Sequence, residues 1–466
     1  MTKKQNQDAT MEKIVSLAKQ RGFVFPGSEI YGGLANTWDY GPLGVELKNN
    51  IQKEWWKFFV TERQNIVGLD AAILMNPKVW EASGHTAEFN DAQVDCKTCK
   101  ARHRADHLIE DALKNVKVEG LSLKDLDKLI AENKIKCPKC GQLDFTPTRV
   151  FNLLFKTQIG VVASESNDIY LRGELAQSMF TNFKNVLNTS RKKIPFGIAQ
   201  VGKVFRNEIT PGNFIFRTLE FDLMEFEYFI PEKDWEETFN YWMDEMKKWL
   251  DVVGIDSSRT RVREHEKEEL SHYSKKTVDI EFDTPFGWKE LYGLAYRTDF
   301  DLKNHTEKSG TELSYLDPYT NEKYIPHVIE PTFGLTRSVL MVLLSAYHEE
   351  IISGENGEET RVVLKLKKNI APFSVAVLPL TNKLNDKSQE VWNMLKSNFT
   401  TDYDVTGSIG KRYRRQDEIG TPYCVTIDFE TIEKDDSVTI RDRDTMQQER
   451  IKITDLVQTL TQKLKD

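Results

Sequence analysis

Apolar residues recur at helical spacing in the first part of the chain. In GVELKNNIQKEWWKFF, residues 44–59, they fall three or four positions apart, which places them on one face of a helix. The preceding Pro–Leu–Gly turn is typical of a helix start. We therefore expect a long amphipathic helix here, after a shorter helix that ends near Lys19 and a loop rich in Gly and aromatic residues.

Strand patterns dominate the middle of the chain. The runs FGIAQVGKVF, FIFRTLEFDLMEFEYFI and TVDIEFDTPFGWKELYGLAY are rich in the residue types of strands and are separated by turn signals. Because strand patterns outnumber helical ones there, we expect an antiparallel sheet. After the turn-rich stretch SGENGEE, residues 353–359, strand and helix patterns alternate to the end of the chain, which predicts a separate α/β domain.

These patterns divide the 466 residues into four stretches. We expect the first part of a main domain at 1–88 and a charged insertion with a helical middle at 89–148. The rest of the main domain would follow at 149–362, and a C-terminal domain at 363–466. The length allows this number of units, since domains typically have about 100–200 residues.

Composition indicates the class of protein and the cellular compartment. Hydrophobic residues make up 39% and charged residues 29% of the chain, as expected for a packed core with a polar surface. The net charge of −8 argues against a protein that coats nucleic acid non-specifically. The polar first residues do not resemble a signal peptide, and no apolar run reaches the roughly 18 residues of a membrane span. We therefore expect a cytoplasmic protein without a membrane partner.

Four of the five cysteines fall in two Cys-x-x-Cys pairs, Cys96/Cys99 and Cys137/Cys140. Two such pairs can supply four thiolates to one tetrahedral Zn²⁺. The separation from Cys99 to Cys137 exceeds the usual spacing of about 15–20 residues, and a helical finger between the pairs would account for it. We expect a structural zinc site, with four free thiols as the alternative. Catalytic zinc is not expected, because four thiolates leave no open position.

The most informative segment is residues 205–221, FRNEITPGNFIFRTLEF, which predicts two strands joined by a loop that includes Thr210 and Pro211. If Phe205 to Glu208 form a strand, Arg206 and Glu208 share one of its faces. Arginine presents a rigid fork to a phosphate, and glutamate can accept a hydrogen bond from an exocyclic amine. The segment therefore predicts a nucleotide site.

Further residues complete this predicted site. Arg217 and Phe221 follow on the return strand, and Arg337 begins a helix in GLTR, residues 334–337. Phe221 offers a stacking surface, and Arg337 can stack on the opposite face of a base by a cation–π contact. Glu290 adds a carboxylate, which alone is more typical of a solvated surface charge.

The segments 205–221 and 334–337 resemble motifs 2 and 3 of class II aminoacyl-tRNA synthetases, and the helix after YGPLG lies where motif 1 belongs. The resemblance implies that Arg206 holds the α-phosphate of ATP, Arg217 the outer phosphates and Glu208 the adenine amine. Phe221 and Arg337 would enclose the base, and Glu290 would lie near ATP and Mg²⁺. The other ATP-site residues implied are Asn207, Phe216, Thr218, Leu219, Glu220, Leu291, Gly334, Leu335 and Thr336.

Text along nearly the whole chain, including YGGLANTWDYGPLGVELKNN, HVIEPTFGLTR and GSIGKRYRRQDEIGTPYCV, resembles glycyl-tRNA synthetases of the homodimeric bacterial type. This implies ATP-dependent attachment of glycine to tRNA(Gly) through glycyl-adenylate, by a homodimer. Glu174 and Glu330 would bind the glycine ammonium. The rest of the implied substrate site is Arg104, Phe221, Asp222, Leu223, Met224, Glu225, Pro331, Thr332, Phe333 and Gly334.

The resemblance also implies an α+β fold with a class II antiparallel β-sheet catalytic core flanked by helices, the cysteine-containing insertion, and a C-terminal α/β anticodon-binding domain. In that domain the basic cluster Lys411, Arg412, Arg414 and Arg415 would contact tRNA, although composition alone favours a solvated charged surface. Two alternatives remain open: a class II synthetase for another amino acid, such as threonine, serine or proline, and a non-catalytic synthetase-like accessory protein.

Overall fold

The computed structural model describes residues 10–113, 116, 118, 121–160, 167–209, 212–354 and 357–465. The polar first nine residues and the loop residues Thr210 and Pro211 lie outside this part of the chain. The helices are α1 (Met11–Arg21), α2 (Pro42–Trp56), α3 (Pro77–Ala82), α4 (His85–Glu88), α5 (Ala105–Ala112), α6 (Leu123–Glu132), α7 (Ala176–Thr181), α8 (Phe183–Ser190), α9 (Trp235–Val253), α10 (Phe300–Ser309), α11 (Leu335–Ala346), α12 (Asn385–Leu395), α13 (Ile409–Ile419) and α14 (Leu456–Lys465).

The strands are β1 (Val24–Pro26), β2 (Trp38–Tyr40), β3 (Ile66–Gly68), β4 (Asn90–Asp95), β5 (Arg102–Arg104), β6 (Arg149–Asn152), β7 (Lys156–Ile159), β8 (Asn167–Tyr170), β9 (Phe196–Phe205), β10 (Glu220–Ile230), β11 (Thr260–Glu264), β12 (Lys276–Thr284), β13 (Gly287–Thr298), β14 (Tyr315–Leu316), β15 (Lys323–Tyr324), β16 (His327–Gly334), β17 (Tyr347–Gly354), β18 (Gly357–Leu364), β19 (Val375–Pro379), β20 (Thr401–Tyr403), β21 (Tyr423–Ile427), β22 (Ser437–Asp442) and β23 (Gln448–Lys452).

A seven-stranded sheet forms the centre of the molecule, in the order β11-β12-β13-β16-β10-β9-β3. All neighbours pair antiparallel except β3, which runs parallel to β9. The predicted antiparallel sheet is therefore confirmed. Alternation along the strands gives the sheet two different faces, and the helices cover each face with a separate hydrophobic cluster.

One face of the sheet packs against α2, α9 and α11. Leu47, Ile51 and Trp55 of α2 are fully buried there, which confirms the predicted amphipathic helix. The α-helix itself ends at Trp56, and a π-helical turn over Lys57–Thr61 follows. The other face packs against α7 and α8, with Met179 among the buried contacts. The candidate site lies on this second face.

The cysteine-containing insertion has its own small core. Strands β4, β5 and β6 form a three-stranded sheet, and Val94, Ile109 and Leu126 are buried between that sheet and helices α5 and α6. The helical middle is the predicted one: α6 begins after Ser122, whose hydroxyl accepts from the Asp125 N–H while Asp125 accepts from the Ser122 N–H. Such a capping box stabilises a helix start.

The C-terminal part folds around a five-stranded sheet in the order β20-β19-β21-β22-β23. The first three strands are parallel and the last two pairings antiparallel, so the predicted α/β pattern is confirmed. Helices α12 and α14 contribute Leu395 and Leu456 to its core. No helix in the described ranges has the length and apolar character that a membrane span requires.

Candidate active site

Most of the predicted ATP-site residues line one cavity at the end of the central sheet. The lining residues are Arg206, Glu208, Phe216, Arg217, Thr218, Phe221, Leu223, Glu290, Leu291, Thr332, Gly334, Thr336 and Arg337. Asn207, Leu219, Glu220 and Leu335 lie beside this cavity without lining it: Asn207 donates its backbone N–H to Leu153, Leu219 accepts from Arg206, Glu220 pairs with Lys203, and Leu335 is buried. Four elements, β10, β13, β16 and α11, therefore meet where the sequence predicted a nucleotide.

The prediction that Arg206 and Glu208 lie on a strand is wrong. Strand β9 ends at Phe205, because the backbone beyond it leaves the sheet. The N–H of Asn207 donates to the carbonyl of Leu153 and not to the neighbouring strand β10. Arg206 and Glu208 still line the cavity. The Arg206 guanidinium lies 5.5 Å from the centre of the Phe221 ring, and its Nε donates to the Gly173 carbonyl at 3.2 Å.

Arg217 also lies off the predicted return strand, since β10 begins only at Glu220. It follows the short 3₁₀ helix Phe214–Phe216, and its backbone exchanges two hydrogen bonds with Gly212, at 3.0 and 3.2 Å. This closed loop directs the Arg217 side chain into the cavity. Burial lowers the pKa of Arg217, and the charge of Arg337 adds to this shift while that of Glu208 opposes it.

Arg337 is in the first turn of α11, as predicted from GLTR. It pairs with Glu290 at 3.2 Å, and its guanidinium lies 4.6 Å from the centre of the Phe216 ring. The charge of Arg337 holds the pKa of Glu290 below its ordinary value. Arg337 thus lies over the ring of Phe216. Its predicted stacking on a base, opposite Phe221, stays a prediction.

A buried acidic pocket, formed by Glu174, Arg297 and Glu330, adjoins this cavity. Nη1 of Arg297 donates to Glu330 at 2.7 Å, and Nη2 lies 3.7 Å from Glu174. Arg297 is fully buried, and Asp301 accepts two further hydrogen bonds from it at 2.8 and 2.9 Å. On the other side, His85 Nε2 lies 3.3 Å from Glu174.

Both predicted ammonium ligands therefore share one arginine. Burial alone would raise the pKa of Glu174, but the charges of His85 and Arg297 outweigh it and lower the pKa. Burial raises the pKa of Glu330, although Arg297 opposes the shift. The two carboxylates thus differ in their readiness to ionise.

The register of β10 and β16 sorts the predicted substrate residues onto the two faces of the sheet. Leu223 pairs with Gly334 and Glu225 with Thr332, and these side chains face the pocket. Met224 and Phe333 face the opposite hydrophobic core, because alternate residues of a strand point to opposite faces. Their predicted place in the pocket wall is therefore wrong. Asp222 and Pro331, two residues before them, share that opposite face, and Asp222 pairs with Lys48 of α2 at 3.1 Å, so their predicted place in the pocket wall is wrong as well.

Arg104 was predicted to contact the ligand, but its partners in the described residues are Asp91, at 3.0 Å, and Asp106. It ends β5 of the insertion, and its surroundings include Glu208 rather than the acidic pocket. Arg297, Asp301 and His85 were missed. Arg297 and Asp301 could have been found from their Arg-x-x-x-Asp spacing, which spans the end of β13 and the start of α10 and allows an ion pair.

The four predicted cysteine ligands come together. Cys96 and Cys140 have their Sγ atoms 3.5 Å apart, Cys99 and Cys137 theirs 3.7 Å apart, and all four sulfurs lie within 4.8 Å of one another. Each Cys-x-x-Cys segment forms a tight turn. The N–H of Lys100 donates to the carbonyl of Cys96, and the N–H of Gly141 donates to the carbonyl of Cys137. This cluster can hold a metal ion.

The basic cluster of the C-terminal domain is split by its helix. Lys411 and Arg414 are exposed on α13. Arg412 is 3% exposed and donates to the carbonyls of Pro379 and Gly407, so the prediction that it contacts tRNA is wrong. Arg415 is engaged by Asp404, with Nε to Oδ2 at 2.8 Å.

Two family models match the chain, in agreement with its fold and with the three arginines that line the cavity. Residues 155–347 match the model described as tRNA synthetase class II core domain (G, H, P, S and T), and residues 374–463 match the model described as anticodon binding domain. The class is therefore that of the class II synthetases, with the central sheet as its core.

Relatives narrow the class to one family. A protein of Alkaliphilus oremlandii named glycine–tRNA ligase is 58% identical over 462 residues, covering 98% of this chain and 99% of that protein. Proteins of the same name from Geobacillus thermodenitrificans and Bacillus anthracis are 59% and 56% identical, and the alignments cover 98% of this chain and 98% and 99% of those proteins. The chain belongs to the glycine–tRNA ligase family.

Proposed function

We propose that this chain uses ATP to attach glycine to tRNA(Gly). Glycine and ATP give glycyl-adenylate and pyrophosphate, and the glycyl group then passes to tRNA with release of AMP. The observation that carries the proposal is the position of the acidic pocket beside the cavity lined by Arg206, Arg217 and Arg337. An amino acid held in the first would present its carboxylate to an α-phosphate in the second.

The residues support this chemistry by position and charge. As the carboxylate attacks the α-phosphate, negative charge spreads over the phosphoryl oxygens, and the guanidinium groups stabilise it without a general base. Arg206 would hold the α-phosphate, and Arg217 the outer phosphates. Mg²⁺, which class II synthetases generally use with ATP, would neutralise phosphate charge; the ionised Glu290 carboxylate in the cavity fits a place beside it.

The acidic pocket suits glycine. Its ammonium needs carboxylate partners, and Glu174 and Glu330 supply them from two sides of Arg297. Thr332 and Gly334 lie along the same strand face as Glu330. Every competing amino acid is larger than glycine, and steric exclusion of a larger competitor requires no second, editing site.

For the cysteine cluster we propose structural Zn²⁺ held by Cys96, Cys99, Cys137 and Cys140. In a tetrahedron with Zn–S bonds of about 2.3 Å, the sulfurs are about 3.8 Å apart. The two observed separations of 3.5 and 3.7 Å are close to that value. Zinc would stabilise the insertion and take no part in the reaction.

The remaining assignments complete the proposal. Residues 1–88 and 149–362 would form the catalytic domain, 89–148 the insertion and 363–466 the anticodon-binding domain, where Lys411 and Arg414 would contact tRNA. The chain would act as a cytoplasmic homodimer. We assign the dimer contact to α2 and the turn after it, whose exposed side has a groove lined by Asn49, Gln52, Lys53, Trp56, Lys57 and Thr61.

Pyrophosphate–ATP exchange tests the proposed activity. We expect strong exchange with glycine and little with threonine, serine or proline. Arg217→Ala should lower it by about 10²–10³-fold, the usual effect of losing one charge-stabilising donor. Exchange with threonine but not glycine would identify another class II enzyme, and no exchange with any amino acid would favour an accessory protein.

A further inference from the structure

Three carboxyl groups crowd the floor of the acidic pocket. Glu225 and Glu227 are on β10, and Glu330 is on β16. The register pairs Glu225 with Thr332, so Glu227, two residues further on, lies opposite Glu330. One oxygen from each of the three lies within 4.8 Å of the others, and each residue is at least nine-tenths buried.

Glu227 differs from its neighbours in its hydrogen bonding. Neither of its oxygens has a hydrogen-bond partner among the described residues, and the residue is 0% exposed. Glu330 accepts from Arg297 at 2.7 Å. Leaving an ionised carboxylate both buried and unpaired is among the costliest arrangements in a protein, so a different protonation state is needed for Glu227.

The charges around Glu227 also favour its protonated form. Acidic groups face it from its own strand, from β16 and from α10, whereas the nearby cation of β13 is already shared among several carboxylates. The acidic groups are Glu225, Glu330 and Asp301, and the cation is Arg297. Burial and then the neighbouring carboxylates raise the pKa of Glu227 well above its ordinary value.

We propose that Glu227 is a positioning residue that holds a proton beneath the acidic pocket, so that it adds no negative charge there and Glu330 can ionise and accept the amino group of the substrate. The inference rests on the proposed function. A neutral carboxyl group at this position leaves the negative charge of the pocket to the carboxylates that would face the ammonium. If Glu227 were ionised as well, like charges would force protons onto the ligating carboxylates.

Infrared spectroscopy of the full-length protein tests the proton directly. At neutral pH we expect the band of protonated carboxylic acid to lose intensity in Glu227→Gln. Glu245→Gln is the matched control: Glu245 is also buried, but Arg63 and Lys248 pair with it, and its pKa is lowered. That control should leave the band unchanged. Loss of ionised-carboxylate intensity in Glu227→Gln would overturn the proposal.

Exchange kinetics test the positioning role. Glutamine is neutral and of the same shape as a protonated glutamate, so Glu227→Gln should raise the KM for glycine no more than about threefold. The KM for ATP should stay unchanged. A glycine KM raised about tenfold or more in Glu227→Gln would show that an ionised carboxylate is needed and would overturn the proposal.

The two proposals fail in different experiments. Absence of glycine-dependent exchange in the unaltered protein would contradict the proposed function, while the infrared measurement would still decide the protonation of Glu227. The stability of the fold gives a second readout. Because the pKa of Glu227 is raised, its protonated form stabilises the fold below the ordinary carboxyl pKa, and this contribution is lost as pH rises through the raised value. Glu227→Gln should remove that loss.

Discussion

At the scale of the residue, Arg297 organises the acidic pocket. It is fully buried, and its three donor groups reach Asp301, Glu330 and, at longer range, Glu174. A buried charge of this kind is tolerated only when it is paired, and removing one partner leaves the others uncompensated. The same arginine therefore has to support both the fold and the binding of an amino acid.

Replacing Arg297 should expose this double role. We expect Arg297→Met to destabilise the protein by about 3–5 kcal/mol, because Asp301 and Glu330 lose their buried counter-ion. Calorimetry should show a lower Tm, and exchange with glycine should fall as well. The control is Arg261→Met, which breaks an ion pair with Glu281 whose arginine is 48% exposed; it should cost about 0–1 kcal/mol. Equal shifts in Tm for the two variants would contradict this role.

At the scale of the element, the two cysteine turns hold the insertion together at one end. Its hydrophobic core is small, built on Val94, Ile109 and Leu126. Small cores usually need a metal or disulfides in addition. None of the four cysteines forms a disulfide among the described residues, so the proposed zinc would join β4 to the turn after α6.

Removing one ligand should release zinc and loosen the insertion. Protein purified without chelator should contain about one zinc per chain, and Cys99→Ser should contain none. Limited proteolysis should then cut between residues 89 and 148 faster than in the unaltered protein. Cys424→Ser is the control, since Cys424 is buried in the C-terminal sheet away from the cluster. Zinc content near zero in the unaltered protein would contradict the assignment.

The elements also show how far local sequence patterns reach. Helix α2, the β12–β13 hairpin and the capped helix α6 followed from periodicity and turn residues, because these signals are local. The end of β9 did not: Phe205 to Glu208 directly follow the strand pattern that begins at Phe196, but the backbone of Asn207 donates to Leu153, which is distant in sequence. Strand limits depend on such partners and cannot be predicted from propensity.

Side-chain environments were harder to predict than elements. Arg412 and Arg414 belong to the same basic run, yet helical rotation buries Arg412 against carbonyl groups and leaves Arg414 exposed. Met224 and Phe333 likewise belong to segments that contribute pocket residues, but strand alternation points them to the opposite core. Segment-level resemblance locates a site, whereas register decides which of its residues face the ligand.

At the scale of the whole molecule, buried ion pairs join the C-terminal sheet to the hairpin that follows α11. Asp417 of α13 accepts from Arg361 of β18 at 2.8 Å and from Arg441 of β22 at 2.8 and 3.0 Å. Arg443 donates to the carbonyls of Gly420 and Leu366. These contacts place α13 at the boundary between the two sheets, with its exposed side available to a partner.

That exposed side leads to the last prediction, which concerns tRNA. We expect the double variant Lys411→Ala, Arg414→Ala to charge tRNA less efficiently while keeping glycine-dependent pyrophosphate–ATP exchange, because both side chains lie on α13, outside the residues that line the ATP cavity. If both contact phosphates of a single strand, the slope of log affinity against log salt should fall by about 1.4, or about 0.7 per contact. Filter binding at several salt concentrations measures this slope.

Two controls separate binding from folding in that experiment. Lys247→Ala removes an exposed charge from α9 and should change neither half-reaction. Arg412→Ala removes a buried guanidinium and leaves the carbonyls of Pro379 and Gly407 without their donor, so it should lower the Tm. Equal loss of exchange and charging in the double variant would contradict a role confined to tRNA, since binding of tRNA at α13 is not needed to form the adenylate.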